Sequence, residues 1–388
     1  MQTIAFFIRN TSFYSNYIKP YADLLKEKGY NVAIIHSDKI TKELSKDNIL
    51  EPDIKQIDLF ENSLKKNIEK INKLNISVIV AINFHSPLDL LVNRLAKFLK
   101  IKIVYMEHGI LAENPGRYIA PPNKLRSLRR FITYITKYLS FCILSGQFFK
   151  EFKILLSVLL RKKYKLSPYD NYLLYASASF EKLKKIYNLS ESQIQYSGYP
   201  IELEDNHNED INSENKPYIL YVHQPYVLHK LGTCSYKDEF NFLKSLGTAI
   251  QEMGYKFIIK LHPLEVKSKY KEEMKNKFEI VQQQSLNNLI KNSFAVVGHY
   301  STALFVALKY NKPLIQIAPE CLPKNSNFMF FSDVSVQIND VQELKTVLTD
   351  KVSLYNKVDN YNIFFENIIG QNNTYNDRVS KLLNLINS

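Results

Sequence analysis

A histidine–proline pair and a serine–threonine pair, each placed where an apolar strand-like run ends, carry the most direct chemistry in this chain of 388 residues. Lys260-Leu261-His262-Pro263 follows Tyr255-Lys256-Phe257-Ile258-Ile259. Gly298-His299-Tyr300-Ser301-Thr302-Ala303 follows Phe294-Ala295-Val296-Val297 and is expected to open a helix over 301–310. In open parallel α/β sheets, ligands bind outside the carboxyl ends of strands. Pro263 drives the backbone of His262 toward an extended conformation, which projects the ring out of the strand end. The hydroxyls of Ser301 and Thr302, with the free N–H groups of a helix start, suit an anion. Gly298 lets backbone and ligand approach closely. Taken singly, a loop histidine holds a local hydrogen bond and a serine at a helix start is an N-cap. The two ends together point to a bound phosphate or carboxylate, most simply the phosphate of an activated sugar.

Further strand ends offer partners for that anion site. Glu107-His108-Gly109 follows the apolar run 103–106, where a carboxylate or imidazole is placed to take a proton from an acceptor hydroxyl. A buried structural Glu–His pair is the plainer account, and Glu113 is a further candidate. His223 and Gln224 follow the first strand of the second half and read as a donor-contacting loop or a simple turn. Glu320, after 315–319, is placed to meet a ribose hydroxyl or to be a surface acid. Arg9, Asn10 and Ser12 end the first strand and are assigned to the acceptor side, as is His85, for which helix capping by Ser86 is the alternative. No cluster has metal-ligand spacing and no Asp-x-Asp pair is present, so the expected chemistry uses neither metal nor cofactor.

The elements that must position these residues alternate. Strand-like runs at 3–8, 31–36, 76–82, 102–106, 172–176 and 193–196 are separated by helical periodicities at 17–28, 64–74, 87–99 and 179–187, which indicates βαβ units and a parallel sheet. The acidic, asparagine-rich stretch 202–216 reads as a linker. Alternation restarts with strands at 218–222, 256–259, 279–282, 294–297 and 313–317, and helices near 341–349, 354–367 and 373–386 close the chain. The expected fold is α/β of GT-B type: a Rossmann-like acceptor domain over 1–204, a linker over 205–216, and a Rossmann-like nucleotide-sugar donor domain with closing helices over 217–388, facing a central cleft.

Composition narrows the partners. The net charge of +13 is concentrated in 124–165, where eleven Lys and Arg stand against one acid, Glu151, among apolar helical turns. No run reaches the roughly 20 apolar residues that span a bilayer. Basic residues around apolar turns suit an anionic membrane surface, or else a helical pair with a solvated basic rim. No nucleic-acid motif accompanies them, so no nucleic-acid partner is expected. Met1 to Arg9 reads as an opening strand, without the features of a signal peptide. Cys142, Cys234 and Cys321 are odd in number and widely spaced, which fits unpaired thiols in a reducing compartment. The expected location is the cytoplasm, peripheral to the inner membrane.

Lys-Leu-His-Pro, the Gly-x-x-Ser-Thr-Ala-x-x-x-Ala-Leu pattern from Gly298 to Leu308, and Asn311-Lys312-Pro313 resemble the second domain of bacterial GT-B transferases that use CMP-activated acid sugars, such as sialyltransferases, polysialyltransferases and capsule Kdo transferases. The resemblance implies that His262 contacts the CMP phosphate and that Ser301 and Thr302 contact phosphate or the sugar carboxylate. The sialyltransferases carry two acids followed by glycine, the second acid being the base. Glu107-His108-Gly109 departs from that pattern, which leaves the base between Glu107 and His108. The Ser197-Gly198-Tyr199-Pro200 element with the His-Pro and Ser-Thr motifs also looks like CDP-glycerol phosphotransferases. The expected activity is an inverting, metal-independent transfer of a nonulosonic or related keto-acid sugar from a CMP-sugar co-substrate to a capsule or lipopolysaccharide glycan precursor, on a glycan or lipid-linked acceptor. The alternatives are a CDP-polyol phosphotransferase and a non-catalytic subunit of a polysaccharide machine.

Overall fold

The computed structural model describes residues 2–9, 11, 14–41, 53–82, 87–108, 124–159, 168–185, 187–200, 217–228, 233–263, 265–299, 301–322, 332–370 and 374–388. Asn10, Ser12, His85, Gly109, Glu113, Tyr300 and the linker 205–216 lie outside them, as does the side chain of Thr302.

Seven parallel strands form the first sheet: β1 (Thr3–Phe7), β2 (Asn31–His36), β3 (Lys55–Asp58), β4 (Ile76–Ala81), β5 (Lys102–Met106), β6 (Asn171–Leu174) and β7 (Ile194–Tyr196). They are ordered β3-β2-β1-β4-β5-β6-β7. The strand β1 is buried on both faces, as expected of a parallel strand covered by helices. Period-two alternation sends Ala5 and Phe7 into one apolar cluster and Ile4, Phe6 and Ile8 into the other. The second sheet holds β8 (Tyr218–Val222), β9 (Lys256–Lys260), β10 (Glu279–Val281), β11 (Ala295–Gly298), β12 (Leu314–Ile317) and β13 (Val336–Ile338), in the order β10-β9-β8-β11-β12-β13. In each sheet the strand order reverses once, between β1 and β4 and between β8 and β11, and that switch point is where α/β sheets bind ligands.

Two strands were not expected, β3 and β13. Both are edge strands, where one neighbour suffices, and Lys55-Gln56-Ile57-Asp58 contains a single apolar residue. The expected helix over 301–310 is instead a 3-10 turn, Thr302–Leu304, followed by a short α-helix, Phe305–Lys309.

The terminal helix corrects the expected domain boundary. One compact unit contains Met1–Leu111, Pro122–Glu202 and Asn367–Ser388, and the other centres on Leu203–Glu366. The helix Tyr375–Asn387 therefore belongs to the first unit, because Val379, Leu382, Leu385 and Ile386 bury against Ile4, Phe6 and Val80. Gly370 makes the return possible. Its φ is +81°, and a Cβ there would lie 2.3 Å from the carbonyl oxygen of Tyr175.

The cysteines are also corrected. Cys234 and Cys321 form a disulfide (S–S 2.09 Å), and only Cys142 is free. Their sequence separation of 87 conceals that Cys234 precedes the helix Tyr236–Glu252 while Cys321 follows β12, both beyond carboxyl ends of one sheet. The inference from unpaired thiols to a reducing compartment falls with the pairing. Among the described residues no helix is long and apolar enough to cross a membrane.

Candidate active site

In the first unit, the carboxyl ends of β4 to β7 enclose a cavity of about 230 Å³. Its lining includes Tyr17, His108, Tyr175, Tyr199 and Arg378, together with Glu107. The two residues competing for the role of base are treated differently by the fold. Glu107 is fully buried. Its Oε2 accepts from the backbone N–H of Tyr175 (2.7 Å) and its Oε1 from the Ser179 hydroxyl (2.6 Å). The carboxylate thus ties β5 to the end of β6 and the helix Ser177–Lys184. Burial outweighs these bonds and raises its pKa to about 7. His108, one residue on, is partly exposed and packs its ring on Tyr17 with centroids 4.4 Å apart. Burial, aided by the Arg378 charge, lowers its pKa to about 4, so the imidazole is neutral at pH 7 with a lone pair to accept a proton.

Arg378 builds this wall of the cavity and was missed from sequence. It is 1% exposed and spends its guanidinium on the Ser197 hydroxyl (2.9 Å), the Tyr21 hydroxyl (2.7 Å) and the backbone carbonyl of Glu107 (2.9 Å), with the Tyr175 ring 4.8 Å away. A capping box between Thr374 and Asp377 one turn earlier was the only local signal, and it marks a helix start, not a partner. Arg9, expected on the acceptor side, pairs with the buried carboxylate of Asp89 (2.7 Å).

In the second unit, three predicted segments meet at carboxyl ends of neighbouring strands: His223 and Gln224 after β8, His262 and Pro263 after β9, Gly298 and Ser301 at β11. The His262 loop is held by its main chain. Its carbonyl accepts from the N–H of Glu265 (3.0 Å) and from the Gln282 amide (3.2 Å), which also reaches the Glu265 carbonyl (2.7 Å). The ring of His262 is half-buried and Pro263 is exposed. Ser301 accepts the N–H of Ala303 (3.2 Å), so its hydroxyl does local capping work. The space beside Gly298 is filled by Leu304, whose Cδ2 would lie 2.6 Å from an added Cβ; the glycine therefore serves close packing of the turn rather than approach of a ligand. Glu320 is exposed, one residue before the disulfide.

His223 differs most from its expectation. Its side chain is fully buried, with Nε2 against Oε1 of Glu239, also fully buried. Tyr270 donates its hydroxyl to the same oxygen (2.7 Å). Since that carboxylate is the acceptor for both, Nε2 carries the proton. Among the described residues, Nδ1 of His223, Oε2 of Glu239 and the Tyr226 hydroxyl have no hydrogen-bond partner. Burial raises the nearby Glu265 carboxyl. His223 is thus one layer behind the surface, and Glu239, at the first turns of the helix Tyr236–Glu252, is its positioning partner. Among the described residues, no three His, Cys, Asp or Glu side chains gather as a metal site.

The family model of alpha-2,8-polysialyltransferase matches residues 21–314. No curated protein sequence matches the chain. Solved structures of similar fold include Phytolacca americana UGT2 complexed with UDP-2-fluoro-glucose and pterostilbene (TM-score 0.58, 9% identity, covering 100% of each chain). The glycosyltransferase SnogD from Streptomyces nogalater is similar to the same degree (0.57, 13%, 100% of each chain). The UDP-GlcNAc 2-epimerase of Methanocaldococcus jannaschii, in complex with UDP-GlcNAc and UDP, also matches (0.55, 14%, 99% of each chain). At these identities the likeness concerns the fold, which is GT-B.

Proposed function

We propose that this chain, which belongs to the alpha-2,8-polysialyltransferase family and is a glycosyltransferase, transfers a nonulosonic or related keto-acid sugar from a CMP-sugar to a capsule or lipopolysaccharide glycan precursor, with inversion and without metal. The observation that carries the reading is that the family match, 21–314, spans all three motifs: Glu107-His108, His262-Pro263 and Gly298 to Thr302.

His108 is the base. Its ring lines the cavity and is neutral at pH 7, whereas both oxygens of Glu107 already accept hydrogen bonds away from solvent. An imidazole with a pKa of about 4 is a weak base, and a bound acidic sugar strengthens it, because a neighbouring negative charge favours imidazolium. As the acceptor hydroxyl attacks the anomeric carbon, its proton passes to His108 and the bond to the CMP phosphate oxygen breaks. His262 and the N–H groups at the Ser301–Thr302 turn stabilise the charge developing on that phosphate. In this reading the basic residues of 124–165 hold the enzyme against an anionic membrane surface, on the side where the precursor is made.

The test is the thermal shift of the purified chain with CMP, CDP, UDP and GDP side by side, since a ligand that binds only the folded state raises the melting temperature. A selective shift with CMP is expected. Preference for CDP would indicate a polyol phosphotransferase, preference for UDP or GDP a hexose transferase or epimerase, and no shift a non-catalytic assembly subunit.

A further inference from the structure

The hairpin that carries most of the net charge ends in an apolar tip. Its helices, Lys124–Leu144 and Phe148–Leu159, meet at the turn Ser145-Gly146-Gln147. On either side of that turn Ile143 is 70% exposed and Phe149 87%, with Leu144 and Phe148 also exposed. Phe148 holds the group together, touching Phe149 edge-on and stacking on Phe152, with ring centroids 5.7 Å apart in each case. Four large apolar side chains within seven residues, facing solvent, cost solubility unless something covers them.

The rest of the hairpin says what covers them. Its inner face is fixed: Tyr134, Tyr138, Phe141 and Leu155 are buried in the first unit's core. Glu151, the only acid between 124 and 165, is 2% exposed and paired with Arg94 (Nε–Oε2 2.8 Å). The remaining charges of this segment are all basic, and Lys150 and Lys153 stand exposed on the first turns after the tip. The backbone at the turn is satisfied internally. Ser145 N–H donates to the Phe141 carbonyl (2.9 Å), Gly146 N–H to the Ile143 carbonyl (3.2 Å) and Gln147 N–H to the Ser145 hydroxyl (3.3 Å). The three N–H groups of the turn itself are thus already bonded when the tip enters a low-dielectric layer. Lysines beside it keep their ammonium groups at the headgroups while their stems lie along the apolar layer.

We infer that Ile143, Leu144, Phe148 and Phe149 insert into the interfacial layer of an anionic phospholipid bilayer, with Lys150 and Lys153 on the lipid headgroups. The inference rests on the membrane contact proposed above and deepens it, from electrostatic attachment to a specific wedge of side chains.

The chain contains no tryptophan, so Phe149→Trp supplies a single fluorescent reporter at the tip. With vesicles of phosphatidylcholine and phosphatidylglycerol, its emission is expected to shift to the blue, and with phosphatidylcholine alone to shift far less. In co-sedimentation, Ile143→Ser/Phe149→Ser is expected to lower partitioning onto the anionic vesicles at least tenfold, leaving the melting temperature and the CMP shift unchanged. Unchanged emission would overturn the inference. So would a double variant that binds as the wild type and is released by salt, which would mean contact through the basic residues alone. A double variant that converts a lipid-free oligomer to monomer would assign the tip to self-association, and an emission shift seen only with single-stranded nucleic acid would assign it there. Because the vesicle assay uses no nucleotide, failure of the CMP reading leaves its outcome unaffected.

Discussion

The two units each place a glutamate and a histidine at the carboxyl end of a sheet, and use them in opposite ways. In the first, Glu107 and His108 are neighbours in sequence but not partners: the carboxylate is filled by Tyr175 N–H and the Ser179 hydroxyl, and the imidazole faces the cavity. In the second, His223 and Glu239 are sixteen residues apart and bonded, and both are enclosed. A carboxylate with both oxygens occupied is a brace. A carboxylate with Oε1 doubly used and Oε2 bare, beside an imidazole with an unpartnered Nδ1, is a network with capacity left over. In the proposed reading, the difference separates a site where a proton moves from one where a loop is held in place.

The largest effect should come from the imidazole that lines the cavity. His108→Ala is expected to lower kcat by about 10²–10⁴-fold while the melting temperature and the CMP shift stay put. Steady-state kinetics beside thermal unfolding checks this, and an equal loss on replacing Glu107 by glutamine, with His108 intact, would move the base to Glu107.

Glu239→Ala should act on stability first. It strips two buried donors, His223 and Tyr270, of their acceptor, and losing one member of a buried ionisable pair costs about 3–5 kcal/mol. Denaturant unfolding measures it. A loss under ~1 kcal/mol would mean the network is solvated and the contrast between the units is wrong.

Titration sharpens the comparison further. Glu107 has a folded pKa of about 7 against an ordinary 4.5, so its contribution to stability is full below 4.5 and is lost as pH rises through 7. His108 has a folded value of about 4 against 6.5, so its contribution is full above 6.5 and is lost as pH falls through 4. Glu107→Gln should therefore flatten the decline in melting temperature between pH 4.5 and 7 and leave the acid limb intact. A variant curve parallel to the wild type across that window would show the carboxylate to be ionised throughout. The smallest change is expected for Tyr270→Phe, which removes one of two bonds to Oε1 and should cost about 1 kcal/mol.

Much of this fold was legible because the strands are continuous apolar runs and the helices between them keep their period. The edge strands β3 and β13 escaped because an edge demands less burial. The placing of His223, His262 and Ser301 at neighbouring strand ends followed from strand-end logic alone. What did not follow was the second layer. Arg378 reaches Glu107 from 271 residues away, Glu239 reaches His223 from the helix after the next loop, and Cys234 reaches Cys321 from 87 residues away. None of these leaves a local pattern, because the partner is chosen by the packing of separate elements. At Gly298 the neighbour is local instead: Leu304 of the following turn occupies the space beside the glycine.

The most direct test of the account is the release of CMP from CMP-sialic acid in the presence of a sialylated acceptor, by the wild type and by His262→Ala. The account predicts turnover by the wild type, a fall of about 10²–10³-fold in the variant, and equal melting temperatures for the two. Full activity in His262→Ala, or no CMP from the wild type with any CMP-linked acid sugar while another nucleotide sugar is consumed, would contradict it.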